Sequence, residues 1–238
     1  MSRLNRSSSP PFAAWPLTNH SLFMLLWLFP PLGFLLGSIP FGLLLGRLKG
    51  LDIRDHGSGN IGATNVFRTL GKGFGILCLF LDFCKGFIPV LLCQLTIPEN
   101  SLGQSIAVLT ALAAILGHNY SPWIGFKGGK GIATSAGALA ALMPPVALAL
   151  LILIFIVVTL LTKYVSLGSM AAALALPLLT FYGSYHHGKI ADGTWNKPLF
   201  IFTLIAGGLA IWKHRANLAR LRAGTENKIG QKNKNAAS

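Results

Sequence analysis

Acidic side chains are scarce in this chain. Six Asp and Glu stand against 20 Lys and Arg, and charged residues make up only 11% of the total. No acidic cluster exists to hold a hard cation, so a dedicated metal site has no support. Cysteine is nearly missing as well. Cys78, Cys84 and Cys93 fall in one apolar segment and have no CxxC spacing, so they read as small buried apolar residues. With hydrophobic residues at 53% and a mean hydropathy of +0.61, so little charge excludes a soluble domain or a disordered chain. The composition points to a polytopic membrane protein. The formal charge of +14 could serve nucleic acid, but in a membrane protein it fits cytoplasmic loops, anionic lipids or anionic substrates. No nucleic-acid partner is expected.

The apolar runs divide the chain into segments. Residues 1–21 are polar and contain proline, and they read as a poorly ordered N-terminal extension. The run that follows continues to Leu45, too long for a cleaved signal sequence, and reads as the first span. Its Gly33, Gly37, Gly42 and Gly46 stand pairwise at GxxxG spacing, which suits close helix packing in lipid. Further spans are expected at 73–95, 101–117, 131–142, 146–161, 167–182 and 197–212, with Met143-Pro144-Pro145 breaking the chain between the fourth and fifth. Spans four to six are barely separated, so a count of five or six is also open. With seven spans, loops 46–72, 118–130 and 162–166 share one side with the tail from 213. That side carries 15 Lys and Arg against four on the other. The expectation is an all-α polytopic integral membrane protein of about seven transmembrane helices, N-terminus outside and C-terminus cytoplasmic. Its domains would be the extension 1–21, one membrane domain over 22–228 and a basic polar tail over 229–238.

Three polar regions fall on the basic side. Gly117–Gly131 reads GHNYSPWIGFKGGKG, with Lys127 and Lys130 set among Gly128, Gly129 and Gly131. Glycines let backbone N–H groups turn inward as an anion nest, and a helix beginning near Gly131 would aim its N-terminus there. A flexible basic turn between helices is the plain alternative. Ile124 stands where a Walker loop needs its first Gly, so a phosphate is expected rather than a nucleoside triphosphate. The loop 46–72 contains Gly57-Ser58-Gly59-Asn60-Ile61-Gly62, formally GxGxxG. No strand precedes it, so a dinucleotide fold is excluded. Its small residues, with Asn60, Thr64, Asn65, Arg54 and Arg68, can still approach and grip an anion. The third region is His214–Leu221 followed by Gly224-Thr225-Glu226. If the last helix continues past Trp212, His214 and Asn217 share a face. Inside the spans, Ser38 next to Pro40 either satisfies freed backbone or offers a hydroxyl to substrate. Asp82 and Lys85, three apart on one helix face, read as an internal ion pair. His187 and Asp192 form a His-x4-Asp pattern typical of acyl-CoA glycerolipid acyltransferases, but they fall in the opposite loop and read as a chance match.

The stretches GSIPFGLLLGR, GSGNIGATNVFR, LDFCKG, GHNYSPWIGFKGGKGIAT, YVSLGS and HRANLARLRAGTE together resemble the bacterial acyl-phosphate:glycerol-3-phosphate acyltransferase family, over about residues 33–228. The resemblance implies a multi-pass enzyme of the bacterial cell (inner) membrane with its active site at the cytoplasmic face. It implies acyl transfer from a fatty acyl phosphate to the 1-hydroxyl of glycerol 3-phosphate, giving lysophosphatidic acid for phospholipid synthesis. The implied partners are glycerol 3-phosphate, acyl phosphate, membrane lipid and the soluble synthase that supplies the donor, with no cofactor. Lys127, Lys130 and the backbone of Gly128, Gly129 and Gly131 are then expected to hold phosphate, assisted by Arg47 and Arg68. Ser38, Ser58, Asn60, Asn65 and Ser166 would orient substrate. His214 and Asn217 would position or deprotonate the hydroxyl, with His118 or the substrate phosphate as competing proton acceptors. Asp82, Lys85 and Glu226 are expected to be structural. Two other classes stay open: a carrier of a phosphorylated metabolite and an inactive lipid-binding protein.

Overall fold

The computed structural model describes residues 26–97 and 100–230, and among these every regular element is helical. The N-terminal extension and the end of the basic tail lie outside the described residues. Helix α1 (Phe29–Gly37) and helix α2 (Phe41–Leu48) form the first apolar segment. They are separated at Ser38-Ile39-Pro40, where Pro40 supplies no N–H and the ladder breaks. The freed carbonyls find other donors. Ser121 Oγ donates to Ser38 O at 2.6 Å and Lys85 Nζ donates to Ile39 O at 2.8 Å. Buried carbonyls in an apolar medium need such partners.

Residues 46–72 read as a polar loop from sequence, but part of them is helix α3 (Ala63–Leu70). Val66 is buried from this helix in a small core with Leu43, Ile53, Ile61 and Cys78, while its polar side carries Asn65 and Arg68. Helix α4 (Lys72–Thr96) and helix α5 (Ser101–Asn119) follow. Helix α5 crosses α1 at backbone contact. A Cβ at Gly37 would overlap Ala114 O, and one at Gly117 would overlap Phe34 O. Small residues at these points let the two helices approach in lipid.

Helix α6 (Ile132–Leu142) is short and packs mainly on α4. Helices α7 (Pro145–Thr162) and α8 (Val165–His186) pair with each other, and α9 (Lys197–Lys213) packs on α8 and α5. The larger core joins Val90, Ile115, Leu139, Leu176 and Phe202 from five of these helices. The chain does not run straight on past Trp212 as one helix. It bends by 48° at His214 into α10 (Arg215–Arg222). Among the described residues, five helical segments are long and apolar enough to cross a membrane, six if the bent pair counts as one. Helix α6 has 11 residues, about 16 Å of helix, short of the ~20 residues a full span requires.

Candidate active site

The end of α5, the start of α6, the start of α8 and the end of α9 meet at one end of the bundle. There they enclose a cavity of about 140 Å³. Of the residues expected from sequence, Ser58, Asn60, Asn65, Arg68, Asp82, His118, Lys130, Gly131, Ser166, His214, Asn217 and Glu226 all line it. Regions more than 150 residues apart in sequence therefore share one wall, as Arg68 shows by donating to Asn227 O at 3.4 Å.

Glu226 organises the C-terminal side. Its Oε1 accepts from Asn217 Nδ2 at 2.6 Å and from Ser166 Oγ at 2.9 Å, and its Oε2 accepts from Arg220 Nε at 2.7 Å. Burial pushes this carboxyl up, but the hydrogen bonds from Asn217, Arg220 and Ser166 outweigh it and hold Glu226 below its ordinary value. An ionised carboxylate only accepts, so Asn217 must present its NH₂ to Glu226. Its Oδ1 is then fixed as a buried acceptor with no partner among the described residues. Three residues on, Ile229 N–H donates to Lys163 O at 2.8 Å and straps the tail across the α7–α8 turn.

His214 stands at the bend. Its Nδ1 lies 2.7 Å from Ala210 O. A carbonyl can only accept, so in the neutral ring the proton is on Nδ1 and Nε2 keeps a free lone pair. Lys213 pins the same bend by donating to Asn119 O at 2.9 Å.

The glycine-rich loop behaves differently from a full nest. Gly128 N–H donates to Asn119 O at 3.2 Å and Gly129 N–H to His118 O at 3.1 Å. Those two donors are spent closing the end of α5, and neither residue lines the cavity. Gly131 takes φ +77° as the residue capping α6, and the chain turns there so that Gly131, Ile132 and Ala133 face the cavity. The first N–H groups of a helix have no intrahelical acceptor, so the start of α6 keeps its donors open. Lys130 points into the same space. Burial lowers its ammonium to about 8; Glu226 opposes the shift, and Arg220 and Arg68 add to it. Lys127 is exposed and outside the cavity.

Below this lies the buried ion pair. Lys85 Nζ is 2.8 Å from Asp82 Oδ1, and His118 Nδ1 is 3.7 Å from the same oxygen. Asp82 and His118 reach the cavity wall, whereas Lys85 does not.

Besides Lys127, Gly128 and Gly129, three further expectations change. Ser38 is fully buried away from the cavity, with its Oγ donating to Leu35 O and accepting from Trp123 Nε1, each at 2.7 Å. Arg47 lines a separate groove. Asn65 reaches the cavity, but its Oδ1 accepts from Ser58 N–H and its Nδ2 serves Ile53 O and His56 O. It staples the loop rather than offering free donors. Sequence reasoning passed over Ser169 and Phe155, which also line the cavity. Ser169 could have been found, since it follows Ser166 by three on a helix and so shares its face. His187 and Asp192 lie at and beyond the far end of α8, away from the cavity.

Known proteins resemble this chain over most of its length. Residues 27–224 match the family described as glycerol-3-phosphate acyltransferase. A glycerol-3-phosphate acyltransferase of Desulforamulus reducens is 48% identical over 202 residues, covering 84% of this chain and 92% of the relative. One from Aquifex aeolicus is 41% identical over 196 residues, covering 82% and 95%. Two crystal structures of PlsY (YgiH), an integral membrane glycerol 3-phosphate acyltransferase, superpose on this fold. The glycerol 3-phosphate form gives a TM-score of 0.75 at 38% identity, covering 87% of this chain and 96% of that one. The lysophosphatidic acid form gives 0.73 at 37% identity with the same coverage. This chain is an all-helical integral membrane protein and belongs to the glycerol-3-phosphate acyltransferase family.

Proposed function

We propose that this protein acylates the 1-hydroxyl of glycerol 3-phosphate with a fatty acyl phosphate, releasing lysophosphatidic acid and inorganic phosphate. The acyltransferase assignment rests on the family. The observation that carries the residue reading is the cavity itself. Two cations, Lys130 and Arg68, and the start of α6 share it with two open acceptors, His214 Nε2 and Asn217 Oδ1. Phosphate needs the first set, and a glycerol hydroxyl needs the second.

In this reading the hydroxyl oxygen attacks the acyl carbonyl carbon. The bond from that carbon to the phosphate oxygen then breaks, and phosphate leaves with the electron pair. The hydroxyl proton goes to His214 Nε2 or to the departing phosphate. Lys130 and the N–H groups at the start of α6 offset the charge that builds on the carbonyl oxygen. A mixed anhydride is already activated, so no covalent enzyme intermediate is required. The three free cysteines fit this, since none of them lines the cavity. At about 140 Å³ the cavity is smaller than the ~300–1,000 Å³ of pockets that enclose whole ligands. The acyl chain would therefore lie outside it, past Leu79 and Phe155, which line the cavity on α4 and α7.

The same reading places residues 22–228 in one acyltransferase domain with seven crossings, the short α6 counted as one because it and α7 together carry the chain away from the cavity and back. The N-terminus would be outside and the cavity on the cytoplasmic side of the bacterial cell membrane, because Lys and Arg concentrate there. A soluble acyl-phosphate synthase would deliver the donor. The test is purified protein with radiolabelled glycerol 3-phosphate, given palmitoyl phosphate in one tube and palmitoyl-CoA in another. Lysophosphatidic acid from the acyl phosphate alone is expected. Product from the CoA tube alone would overturn the donor assignment, and no product in either, with binding intact, would favour a carrier. For the phosphate role, Lys130→Ala should raise the glycerol 3-phosphate concentration needed for half-saturation. An unchanged curve would remove Lys130 from the site.

A further inference from the structure

A second cavity, of about 270 Å³, lies against α2 and shares no lining residue with the first. Ile39, Pro40, Leu43, Leu44 and Trp123 line it together with Arg47. Pro40, Leu43, Leu44 and Arg47 stand at helical spacing, so they form one stripe along α2. Over seven residues that stripe runs about 10 Å along the axis. Pro40 begins it at the break inside the first apolar segment, and Arg47 ends it in the last turn of α2. One end is apolar and set among the spans, while the other is cationic and lies where the chain leaves the bundle.

The groove is held in shape. Trp123 is 66% exposed, yet its Nε1 donates to Ser38 Oγ at 2.7 Å. An indole so placed is a fixed apolar wall with its polar atom satisfied, as expected at headgroup level. Arg47 is exposed, and its guanidinium takes part in none of the ion pairs among the described residues. Asp52, whose carboxylate feels Arg47, is gripped by Arg54 at 2.6 Å. The cation is thus available to an outside anion.

We propose that this groove binds an anionic phospholipid of the surrounding bilayer, with an acyl chain along the exposed Leu44 and Trp123 and the phosphate on Arg47. A free metabolite phosphate would leave the apolar stripe uncovered, and a neutral lipid would leave Arg47 uncompensated. A phospholipid with net negative charge satisfies both. The site does not depend on which acyl donor the enzyme uses.

The test uses full-length protein in phosphatidylcholine vesicles with a trace of phosphatidylglycerol carrying a photoreactive acyl chain. After irradiation, labelled peptides are mapped by mass spectrometry. Label should concentrate on residues 39–47 and on Trp123, and unlabelled phosphatidylglycerol should suppress it where added phosphatidylcholine does not. Arg47→Gln should lower groove labelling about fivefold, the factor one basic residue near a membrane surface contributes. Arg222→Gln, which removes an exposed cation outside the groove, should leave it unchanged. Label spread evenly over the lipid-facing helices, or equal competition by phosphatidylcholine, would overturn the proposal. So would an Arg47→Gln pattern like that of the parent. Stronger displacement by palmitoyl phosphate than by phosphatidylglycerol would overturn it too, by making the groove a donor site.

Discussion

Replacing Lys85 by Met should cost this protein a large part of its stability. The Lys85 and Asp82 side chains are each 3% exposed and 2.8 Å apart. Met keeps most of the apolar stem and removes only the charge. Two losses follow. Asp82 becomes a buried carboxylate left with His118 and the weak Cys78 thiol donor, and Ile39 O loses its donor at the α1–α2 break. Breaking a buried pair by removing one partner costs about 3–5 kcal/mol. An unsatisfied buried carbonyl costs about 1–3 kcal/mol. The two overlap, because one ammonium serves both, so about 4 kcal/mol is a fair total. For a chain of this size that is a fall in Tm of roughly 8–16 °C. Intrinsic-fluorescence melting in detergent would read it. The double variant Asp82→Asn with Lys85→Met removes the orphaned charge and should recover at least half of the loss. A single variant that melts with the parent, or a double variant no more stable than the single, would refute the reasoning.

Three further outcomes are expected. Lys130 holds its proton only below about 8, so kcat/KM for glycerol 3-phosphate should fall about tenfold per pH unit above that value. Lys130→Arg, always charged, should abolish the break, and a parent profile flat through that range would show that the charge is not used. Glu226→Gln sets an amide NH₂ against donors from Asn217, Ser166 or Arg220. It should cost about 2 kcal/mol and raise KM for glycerol 3-phosphate; unchanged melting and KM would show that the carboxylate does not hold this wall. Gly37→Leu should prevent α1 from seating on α5, whereas Gly208→Ala, with nothing within 4 Å of the added Cβ, should be tolerated. Equal yields of monodisperse protein from the two would refute the contact.

The helical segments were legible because hydropathy in lipid is nearly one-dimensional: a run is apolar or it is not. The expected span 73–95 and the observed Lys72–Thr96 differ by one residue at each end. What escaped was set by contacts across the bundle. Helix α3 was read as loop because its eight residues pay for helix only through Val66 and its neighbours. The bend at His214 depends on Lys213 reaching Asn119, a residue far away in sequence. Ser38 carried two readings from sequence, and its hydroxyl is committed to Leu35 and Trp123. The glycines of the loop were expected to turn their N–H groups inward as an anion nest. Sequence could not say that Gly128 and Gly129 approach the end of α5 rather than a ligand. His214 and Asn217 were placed on one face on condition that the last helix ran on past Trp212; the chain bends at His214, and both residues still line the cavity.

The strap from Glu226 to Ile229 has a consequence for how the protein is made. Arg68, Lys163 and Ser166 each make a bond to this strap, which emerges from the ribosome long after them. A nascent chain stopped after α9 would insert all of its apolar helices. It would still lack Asn217, Glu226 and the strap, so Ser166 and Arg68 would face a gap. Membrane insertion and completion of the cavity are therefore separable in biosynthesis, and the cavity gains this wall only after α9 has been made.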